Sequence, residues 1–366
     1  MQKKVIVINL GTSAAGPRLA LNLAKTLHDS DCLSGLVFSS NSTLMRDLSE
    51  VTNNFLCVDT YSSKLSFVNR VLHVKKLHRE IAAYLDLIQP EIVMLPMQHA
   101  LDPFLLPFLR KKRIRNGDRY QIVAWVHDGT THPGDSKILG RFMMRSTLSA
   151  ADSIVVLSEN VLNIVSRRTK TRILRIEHPI VVEAQRKPFE RVVTLSPKIL
   201  FIGRIVQYKG ITRLASSWPY IIEHFPNAEL IVAGHGDVKL ALDAFEGLPN
   251  VEMRIGYLEE GQMSEIISNS DLLVLPYNAA SQSGVLIQAI EFGKPYVITP
   301  VSGLIEQARK LGGGVIAEDM SAPSFALAVC NALSGKDLIP LSMNLSFGWT
   351  SQIALLLEAL VQRVVE

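Results

Sequence analysis

Short apolar runs alternate with longer amphipathic stretches along most of the 366 residues of this chain. Runs that are apolar throughout are typical of strands in parallel sheets, which helices cover on both faces. The pattern therefore predicts an α/β protein with two doubly wound parallel sheets in succession. The predicted strands are 5–10, 35–40, 55–59, 91–96, 121–127 and 153–158 in the first half, and 198–203, 228–234, 251–256, 272–277 and 295–300 in the second. The predicted helices include 17–26, 65–87 and 139–149.

The chain is longer than one hydrophobic core usually supports, so we expect two domains. Residues 178–198 carry three prolines and charges of both signs, as linkers often do. We predict an N-terminal domain at 1–180, a linker at 181–197 and a C-terminal domain at 198–348. Apolar residues recur at helical spacing in 349–366, which predicts a terminal amphipathic helix.

Composition excludes several classes of protein. The net charge of +4 is mild and the basic residues are scattered, which argues against a nucleic-acid partner. Three cysteines without CxxC spacing argue against a disulfide framework and a zinc site, and they fit a reducing cytosol. The first apolar run is too short for a signal peptide, and no run reaches the length of a membrane span. We expect a cytoplasmic protein.

Residues 201–210, FIGRIVQYKG, combine an apolar strand, a glycine turn and two spaced cations, Arg204 and Lys209. The distant segment 274–295 contains a second strand, a Gly/Ser turn and the start of a helix. Fixed cations together with the N–H groups of a helix N-terminus are a usual way to hold a pyrophosphate without a metal. Either cation alone is more often a solvated surface charge. The two segments together indicate a diphosphate site.

Six segments of the C-terminal half also carry a family resemblance. They are GRIVQYKG (203–210), LIVAGHGD (230–237), VEMRIGYLEEGQMSEIISNSDLLVLPY (251–277), GVLIQAIEFGKPYVIT (284–299), SGLIEQA (302–308) and GGGVIAED (312–319). In this order they resemble the family 4 glycosyltransferases, which are retaining enzymes of the GT-B fold. The N-terminal half resembles the family more faintly, through NLGTSAAGPRLALNLAKTL and WVHDGTTHPG.

The resemblance implies two Rossmann-like domains that face each other across a cleft, with a C-terminal helix that crosses back to the N-terminal domain. It implies transfer of a hexose from a nucleoside-diphosphate sugar, with UDP or GDP, to a hydroxyl of a glycan or a lipid-linked acceptor. The nucleotide sugar is then a co-substrate, and no separate cofactor is expected. Bacterial surface-polysaccharide biosynthesis is the expected setting.

Stabilisation of the leaving diphosphate is the main chemical task in such a transfer. Arg204 and Lys209 are the predicted catalytic cations, and no metal is predicted. Gly234 and Gly236 in AGHGD would give the backbone room at a strand end, although both residues could simply form turns. Gly203 and Gly234 are both predicted donor-binding residues. The remaining predicted donor-binding residues are Gly256, Tyr257 and Leu258 beside the base, and the N–H groups of Ser283, Gly284 and Val285 at the diphosphate.

One departure from the family concerns the donor sugar. Relatives often carry two glutamates eight residues apart, and these positions hold Ala280 and Gln288 in this chain. Gln288 can still bond a ribose as a neutral group, whereas Ala280 cannot replace a carboxylate. The loop resembles a variant with Gln-Ser-Gly, in which Gln282 and Ser283 would take over the contacts with the sugar. Ser281, beside Ala280, is a further predicted donor-binding residue. The departure leaves open the identity of the donor and whether the chain is active.

In the N-terminal half, His127 and Asp128 follow a predicted strand, and the resemblance implies that this histidine contacts the donor. Gly11, Thr12 and Gly16 follow the first strand and would border the acceptor and the diphosphate. Two alternatives remain for His127. It could be a structural histidine, or it could join Asp128, His132 and Asp135 in a metal cluster.

A basic amphipathic stretch at 104–117 places five cations after apolar residues. Such a segment can rest on anionic lipid, so we expect a peripheral contact with the inner face of a membrane, where a lipid-linked acceptor would lie. The alternative is a solvated helix end with favourable cations. Two other functions stay open for the chain, a nucleotide-sugar 2-epimerase of the same fold and a non-catalytic nucleotide-sugar-binding subunit.

Overall fold

The computed structural model describes residues 3–12, 15–42, 44–61, 63–117, 120–130, 136–176, 195–340 and 349–361. The chain divides into two compact units. The N-terminal unit holds the described residues up to 176 together with the last helix, and the C-terminal unit holds 195–340. Most of the predicted linker, 181–194, lies outside the described residues.

The N-terminal unit is built on a seven-stranded sheet in which every neighbouring pair is parallel. The strands are β1 (Val5–Asn9), β2 (Leu33–Ser39), β3 (Phe55–Val58), β4 (Ile92–Leu95), β5 (Gln121–Val126), β6 (Ser153–Val156) and β7 (Arg172–Arg175). Their order in the sheet is β3-β2-β1-β4-β5-β6-β7. The first six correspond to predicted strands, whereas β7 was not predicted, because it is short and begins and ends with arginine.

Helices connect these strands. They are α1 (Ala15–Asp29), α2 (Leu48–Val51), α3 (Lys64–Leu72), α4 (Val74–Ile88), α5 (Asp102–Asn116), α6 (Lys137–Ala150) and α7 (Glu159–Ser166), with a 3-10 turn at Met45–Asp47. The prediction of one helix over 65–87 was wrong, because the chain leaves helical geometry at His73, where φ is −103° and ψ is 21°. That residue both ends α3 and begins α4.

The last helix of the described chain packs in the N-terminal unit, as the resemblance implies. The amide of Gln121 in β5 donates to the carbonyl of Leu360 over 3.5 Å. Ile353, Leu356 and Leu360 are buried, so the predicted apolar face of this helix is the face that packs.

The C-terminal unit repeats the same architecture with six parallel strands. These are β8 (Lys198–Ile202), β9 (Glu229–Gly234), β10 (Val251–Ile255), β11 (Leu272–Leu275), β12 (Tyr296–Ile298) and β13 (Gly314–Ile316). The helices are α8 (Ile211–His224), α9 (Val238–Phe245), α10 (Glu260–Ser268), α11 (Gly284–Glu291), α12 (Ser302–Leu311) and α13 (Ala322–Leu333), and the last helix of the chain is α14 (Trp349–Val361). The prediction of two Rossmann-like parallel-sheet domains is confirmed.

Strand order reverses once in each sheet, and this reversal locates the candidate site. The C-terminal sheet runs β10-β9-β8-β11-β12-β13, so the order turns between β8 and β11. The N-terminal sheet turns between β1 and β4. Ligands of open α/β sheets bind at the carboxyl ends of the two strands that flank such a point. In the C-terminal unit those two strand ends are where 203–210 and 276–285 begin.

Among the described residues, no helix combines the length and the apolar character that a membrane crossing requires.

Candidate active site

The turn after β8 is shaped by its glycines. Gly203 has a φ of 133° and Gly210 a φ of 72°, both in the region that favours glycine. Between them, Ile205 forms a parallel bridge with Gly236, and a 3-10 turn follows at Gln207–Lys209. The turn leaves Arg204 exposed and Lys209 half-buried.

Two tyrosine rings hold the predicted cations. The Arg204 guanidinium donates through Nη2 to the hydroxyl of Tyr208 over 2.5 Å. The Lys209 ammonium lies 3.7 Å from the centre of the Tyr277 ring and 5.6 Å from that of Tyr208. Both cations therefore border the Tyr208 ring, and Lys209 makes a close cation–π contact with Tyr277, whose side chain is buried.

Two hydrogen bonds join the loop after β11 to the turn after β8. The Asn278 N–H donates to the Tyr208 carbonyl over 2.7 Å, and its side-chain amide donates to the Gln207 carbonyl over 3.1 Å. A Cβ atom on Gly210 would lie 1.7 Å from the carbonyl oxygen of Pro276, so only glycine permits this approach. The structure thus brings together the two segments that the sequence paired, although 65 or more residues separate them.

A glutamine that was not predicted fixes the start of α11. The Gln307 side chain in α12 accepts from the Ser283 N–H over 2.9 Å and donates to the Ser283 carbonyl over 3.1 Å. The Ser283 hydroxyl lies 3.4 Å from that of Tyr277. The Ser283 N–H is therefore engaged, which leaves the N–H groups of Gly284, Val285 and Leu286 in the first turn without an acceptor in the described structure.

Close packing against α12 shapes the Gln-Ser-Gly loop. A Cβ on Gly303 would lie 2.2 Å from the carbonyl oxygen of Ser281 and 2.4 Å from that of Ala280. Ser281 is buried, whereas Gln282 is half-buried. Gly303 and Gln307 both belong to SGLIEQA (302–308), one of the segments that carry the family resemblance, and neither residue was predicted to form the site. That motif was the sequence signal that could have identified both residues.

The predicted base-binding residues lie at the ends of β9 and β10. The Gly256 N–H donates to the Gly234 carbonyl over 2.8 Å, and the ring of Tyr257 lies 6.1 Å from that of His235. Tyr257 is 52% exposed, whereas Leu258 packs on the core. His235 was not predicted, although it stands between the two glycines of the AGHGD segment.

Gln288 lies in α11, where its side chain is half-buried. Its amide nitrogen is 3.8 Å from the sulfur of Met263 in α10.

In the N-terminal unit, the loops after β1 and β4 meet. The Asn9 amide donates to the Gly11 carbonyl over 3.3 Å, and Thr12 is half-buried. A Cβ on Gly16 would lie 3.2 Å from Cγ of Met97. The predicted residues Gly11, Thr12 and Gly16 thus border the strand-order reversal of their own sheet.

His127 follows β5, and its ring is bonded to the neighbouring loop. Nε2 lies 2.7 Å from the carbonyl oxygen of Pro96, so it carries the proton and donates. Burial lowers the pKa of His127. The hydrogen bond to Pro96 and the charge of Asp128 act to raise it, but burial has the larger effect. A neutral imidazole follows. The other members of the alternative metal cluster, His132 and Asp135, lie outside the described residues.

A buried group that sequence analysis missed lies after β4. The Asp102 carboxylate accepts from the His99 N–H over 2.6 Å, and the His99 ring lies 5.3 Å from that of Tyr61. Burial raises the pKa of Asp102 to about 7 and lowers the pKa of His99 to about 4. Burial and the charge of Asp102 raise the pKa of Tyr61. No local motif marks these residues.

Within the described residues, no three His, Cys, Asp or Glu side chains gather in a group that could hold a metal ion.

Comparisons with known proteins bear on this geometry. Residues 196–335 match the family Glycosyl transferases group 1. An uncharacterised glycosyltransferase of Methanocaldococcus jannaschii is 29% identical over 139 residues, which are 37% of this chain and 35% of that protein. An uncharacterised glycosyltransferase of Haemophilus influenzae is 24% identical over 190 residues, 50% of this chain and 52% of that protein. The chain thus spans about a third to a half of the length of these relatives.

A crystal structure of HepE from Anabaena, in complex with UDP and glucose, has a similar fold. The TM-score is 0.71 at 12% identity, and the match covers 98% of this chain and 100% of that chain. At this identity the likeness concerns the fold alone. Residues 196–335 therefore carry a Glycosyl transferases group 1 domain within a two-domain fold of the GT-B type.

Proposed function

We propose that this protein is a retaining glycosyltransferase. It moves a hexose from a nucleoside-diphosphate sugar to a hydroxyl of a glycan or a lipid-linked acceptor, without a metal. The setting is the cytoplasm, with a peripheral contact at the inner face of a membrane, and bacterial surface-polysaccharide biosynthesis is the proposed pathway class.

The observation that carries the proposal is the meeting of two distant segments at the strand-order reversal of the C-terminal sheet. Lys209 and Arg204 come from one segment, and the N–H groups of Gly284 and Val285 come from the other. A cation and a helix N-terminus each favour an anion, and together they suit a diphosphate better than a neutral ligand.

The proposed chemistry needs little from the protein beyond position and charge. As the sugar leaves, charge develops on the diphosphate, and Arg204 and Lys209 stabilise that charge. The departing diphosphate takes the proton of the acceptor hydroxyl on the same face of the sugar, which retains the configuration. No strong protein nucleophile is then required, which fits the alanine at position 280.

The first donor to test is UDP-glucose, because HepE, of similar fold, binds UDP and glucose. A thermal-shift screen should compare the UDP, GDP, ADP and dTDP forms of a hexose. A ligand that binds only the folded state raises stability with the logarithm of its saturation. We expect one base to raise the melting temperature clearly, and a similar absence of shift with all four would contradict the proposal.

The catalytic assignment is tested with Lys209→Met. Loss of one preorganised electrostatic group costs about 100- to 1000-fold in turnover, so transfer should fall by at least that lower figure. Lys239→Met, an exposed lysine in α9, is the matched control and should stay within about twofold. An unchanged transfer rate for Lys209→Met would refute the assignment.

The same assays separate the two rival functions. An epimerase would convert the donor to an epimer in the absence of any acceptor. A non-catalytic subunit would bind the donor by calorimetry without turnover on any acceptor. A transferase releases the nucleoside diphosphate in step with glycosylated acceptor.

A further inference from the structure

Three helices cover one side of the N-terminal sheet in a single layer. Each contributes buried apolar residues to the same core, namely Leu77 and Ile81 from α4, Leu105 and Leu109 from α5, and Met144 from α6. His78 of α4 stacks on Phe108 of α5, with ring centres 4.1 Å apart. Ser146 of α6 donates to the Asp102 carbonyl at the start of α5. Thus α5 lies between α4 and α6, and exposed side chains of the layer point away from the sheet.

The outer face of α6 is both apolar and basic. Ile138 and Phe142, one turn apart, are 68% and 63% exposed. Lys137, Arg141 and Arg145 are exposed in the adjacent row of the helix. Helix α6 has no acidic residue, and none of the three cations forms an ion pair within the described part of the chain. Large hydrophobic residues are rarely left this exposed beside each other without a partner surface.

Helix α3, which leads directly into α4, has a second exposed apolar row. Leu65, Val68 and Leu72 are 85%, 56% and 75% exposed. The inner side of α3 packs through Phe67 and Val71. Helix α4 carries three exposed cations, Lys75, Lys76 and Arg79. Of these, Lys76 pairs with Glu80 at 3.8 Å.

The segment that the sequence favoured for a membrane contact is different. The apolar residues Leu105, Leu106 and Leu109 of α5 are buried in the core. Lys112 pairs with Asp86 at 2.5 Å, and Arg113 pairs with Asp152. The basic stretch 104–117 is therefore partly internal, and its apolar face is not free to meet lipid. The exposed apolar side chains lie on the neighbouring helices.

We propose that α3 and α6, together with the cations on α4 and α6, form a docking face for an anionic lipid bilayer. This inference specifies which surface makes the membrane contact of the proposed function. It rests on the proposed function only for the reason why the protein would bind a membrane. Neighbouring helices lie about 8–10 Å apart, so α4 and α6, on the two sides of α5, stand about 20 Å apart. A peptide helix that binds a protein fills a single groove, whereas a bilayer can contact a wide surface that carries both apolar and basic residues.

The test is flotation of the full chain with vesicles of phosphatidylcholine, with and without about one third phosphatidylglycerol. We expect binding only to the anionic vesicles, and its loss at 1 M salt, where the screening length falls to about 3 Å. The variant Lys137→Gln/Arg141→Gln/Arg145→Gln should bind about 100-fold more weakly, because each cation near an anionic surface contributes about fivefold.

A matched control removes three exposed cations of the C-terminal unit, in Lys239→Gln/Arg309→Gln/Lys336→Gln. It should bind within about threefold of the parent chain, because charges beyond the screening length contribute little. Ile138→Ser/Phe142→Ser should weaken binding by about tenfold or more. Its control, Leu242→Ser/Leu327→Ser, removes residues that are 53% and 58% exposed in the C-terminal unit, and should not change binding.

Three results would overturn the inference. The full chain could fail to bind anionic vesicles, or the two charge variants could weaken binding equally, which would indicate net charge alone. Sedimentation could also show a concentration-dependent dimer that only Ile138→Ser/Phe142→Ser abolishes, which would make a second copy the occupant. The nucleotide thermal shift, measured without lipid, should be the same in all four variants, so failure here and failure of the proposed function can be told apart.

Discussion

The carboxyl edges of the two sheets differ in the residues and contacts that form them. In the C-terminal unit the edge consists of glycine turns, main-chain hydrogen bonds and two cations against tyrosine rings. In the N-terminal unit the corresponding edge contains titratable groups, His99, Asp102 and His127, whose pKa values burial has moved. One edge is fixed by steric demands, and the other depends on protonation.

The difference explains why the sequence indicated the C-terminal edge more fully than the N-terminal one, where Asp102 and His99 were missed. Steric demands restrict the residue type at a position, so they leave a local signature such as GRIVQYKG. Burial of a carboxyl group depends on which distant elements cover it, and a short window of sequence does not contain that information. The comparison also predicts that steric changes act mainly on the C-terminal edge and that changes in pH act mainly on the N-terminal one.

The largest expected effect is that of Gly210→Ala. Its Cβ would meet the Pro276 carbonyl oxygen at 1.7 Å, so the two site segments must separate. We expect a loss of about 3 kcal/mol or more in the free energy of unfolding, at the upper end of single substitutions. Urea unfolding measures this loss, and hydrogen exchange should be faster in residues 272–290.

Gly247→Ala is the control, because it shares a positive φ, 75° against 72°, but has open space around the added atom. It should lower the free energy of unfolding only by the strain of placing alanine in the left-handed conformation, about 1–2 kcal/mol. Equal losses in the two variants would mean that backbone conformation alone, and not the contact between the segments, explains the glycine.

The sequence predicted the sheets well because strands buried on both faces are apolar along their whole length. All eleven predicted strands are present, and the two that were missed have identifiable reasons. β7 begins and ends with arginine, and β13 is a three-residue strand that starts within a run of three glycines, 312–314. The break at His73 was missed because the periodic pattern of 65–87 does not register a change of backbone angle at one residue.

The site was predictable in part for the same physical reason. The pairing of 201–210 with 274–295 was expected and is observed, whereas the roles of the predicted residues remain predictions. Tyr277 and Gln307 lie in segments that carry the resemblance, but their roles were missed because these depend on what the side chains touch. Tyr277 contacts a lysine 68 residues upstream, and Gln307 bonds a main-chain group 24 residues upstream. Three-dimensional proximity of this kind leaves no periodic signal.

The second prediction concerns pH and the N-terminal edge. The pKa of Asp102 is about 7 in the folded chain and near 3.8 when unfolded. The folded state therefore binds more protons between these values, and stability should fall as pH rises from about 4 to 7. Between pH 5 and pH 7 this amounts to somewhat less than two pKa units, or about 2 kcal/mol. Asp102→Asn keeps an acceptor for the His99 N–H and removes that loss.

The measurement is the difference in free energy of unfolding between Asp102→Asn and the parent chain, at pH 5 and at pH 8. We expect the difference to shift by about 2–3 kcal/mol in favour of the variant at the higher pH. Asp243→Asn, an exposed carboxylate in α9, should give no such shift. A difference independent of pH would mean that Asp102 is ionised in the folded state throughout this range, and the contrast between the two edges would lose its basis.

The smallest expected effect tests whether Tyr277 acts through Lys209. Tyr277→Leu removes the ring beneath the ammonium, and a desolvated cation–π contact is worth about 2 kcal/mol, so nucleoside-diphosphate affinity should fall by about 30-fold. Tyr277→Phe keeps the ring and loses only the hydroxyl near Ser283, so its affinity should change by less than about fivefold.

A general loosening of the fold would also weaken binding in Tyr277→Leu, so the decisive measurement is a double-mutant cycle with Lys209→Met, by calorimetry with UDP. If the ring positions the ammonium, Tyr277→Leu should cost almost nothing further once Lys209 is gone, because the interaction it served no longer exists. Additive losses in the double variant would assign Tyr277 to the stability of the C-terminal unit. The contact at 3.7 Å favours the first outcome, because a fully buried ring this close to a half-buried ammonium leaves no room for water between them.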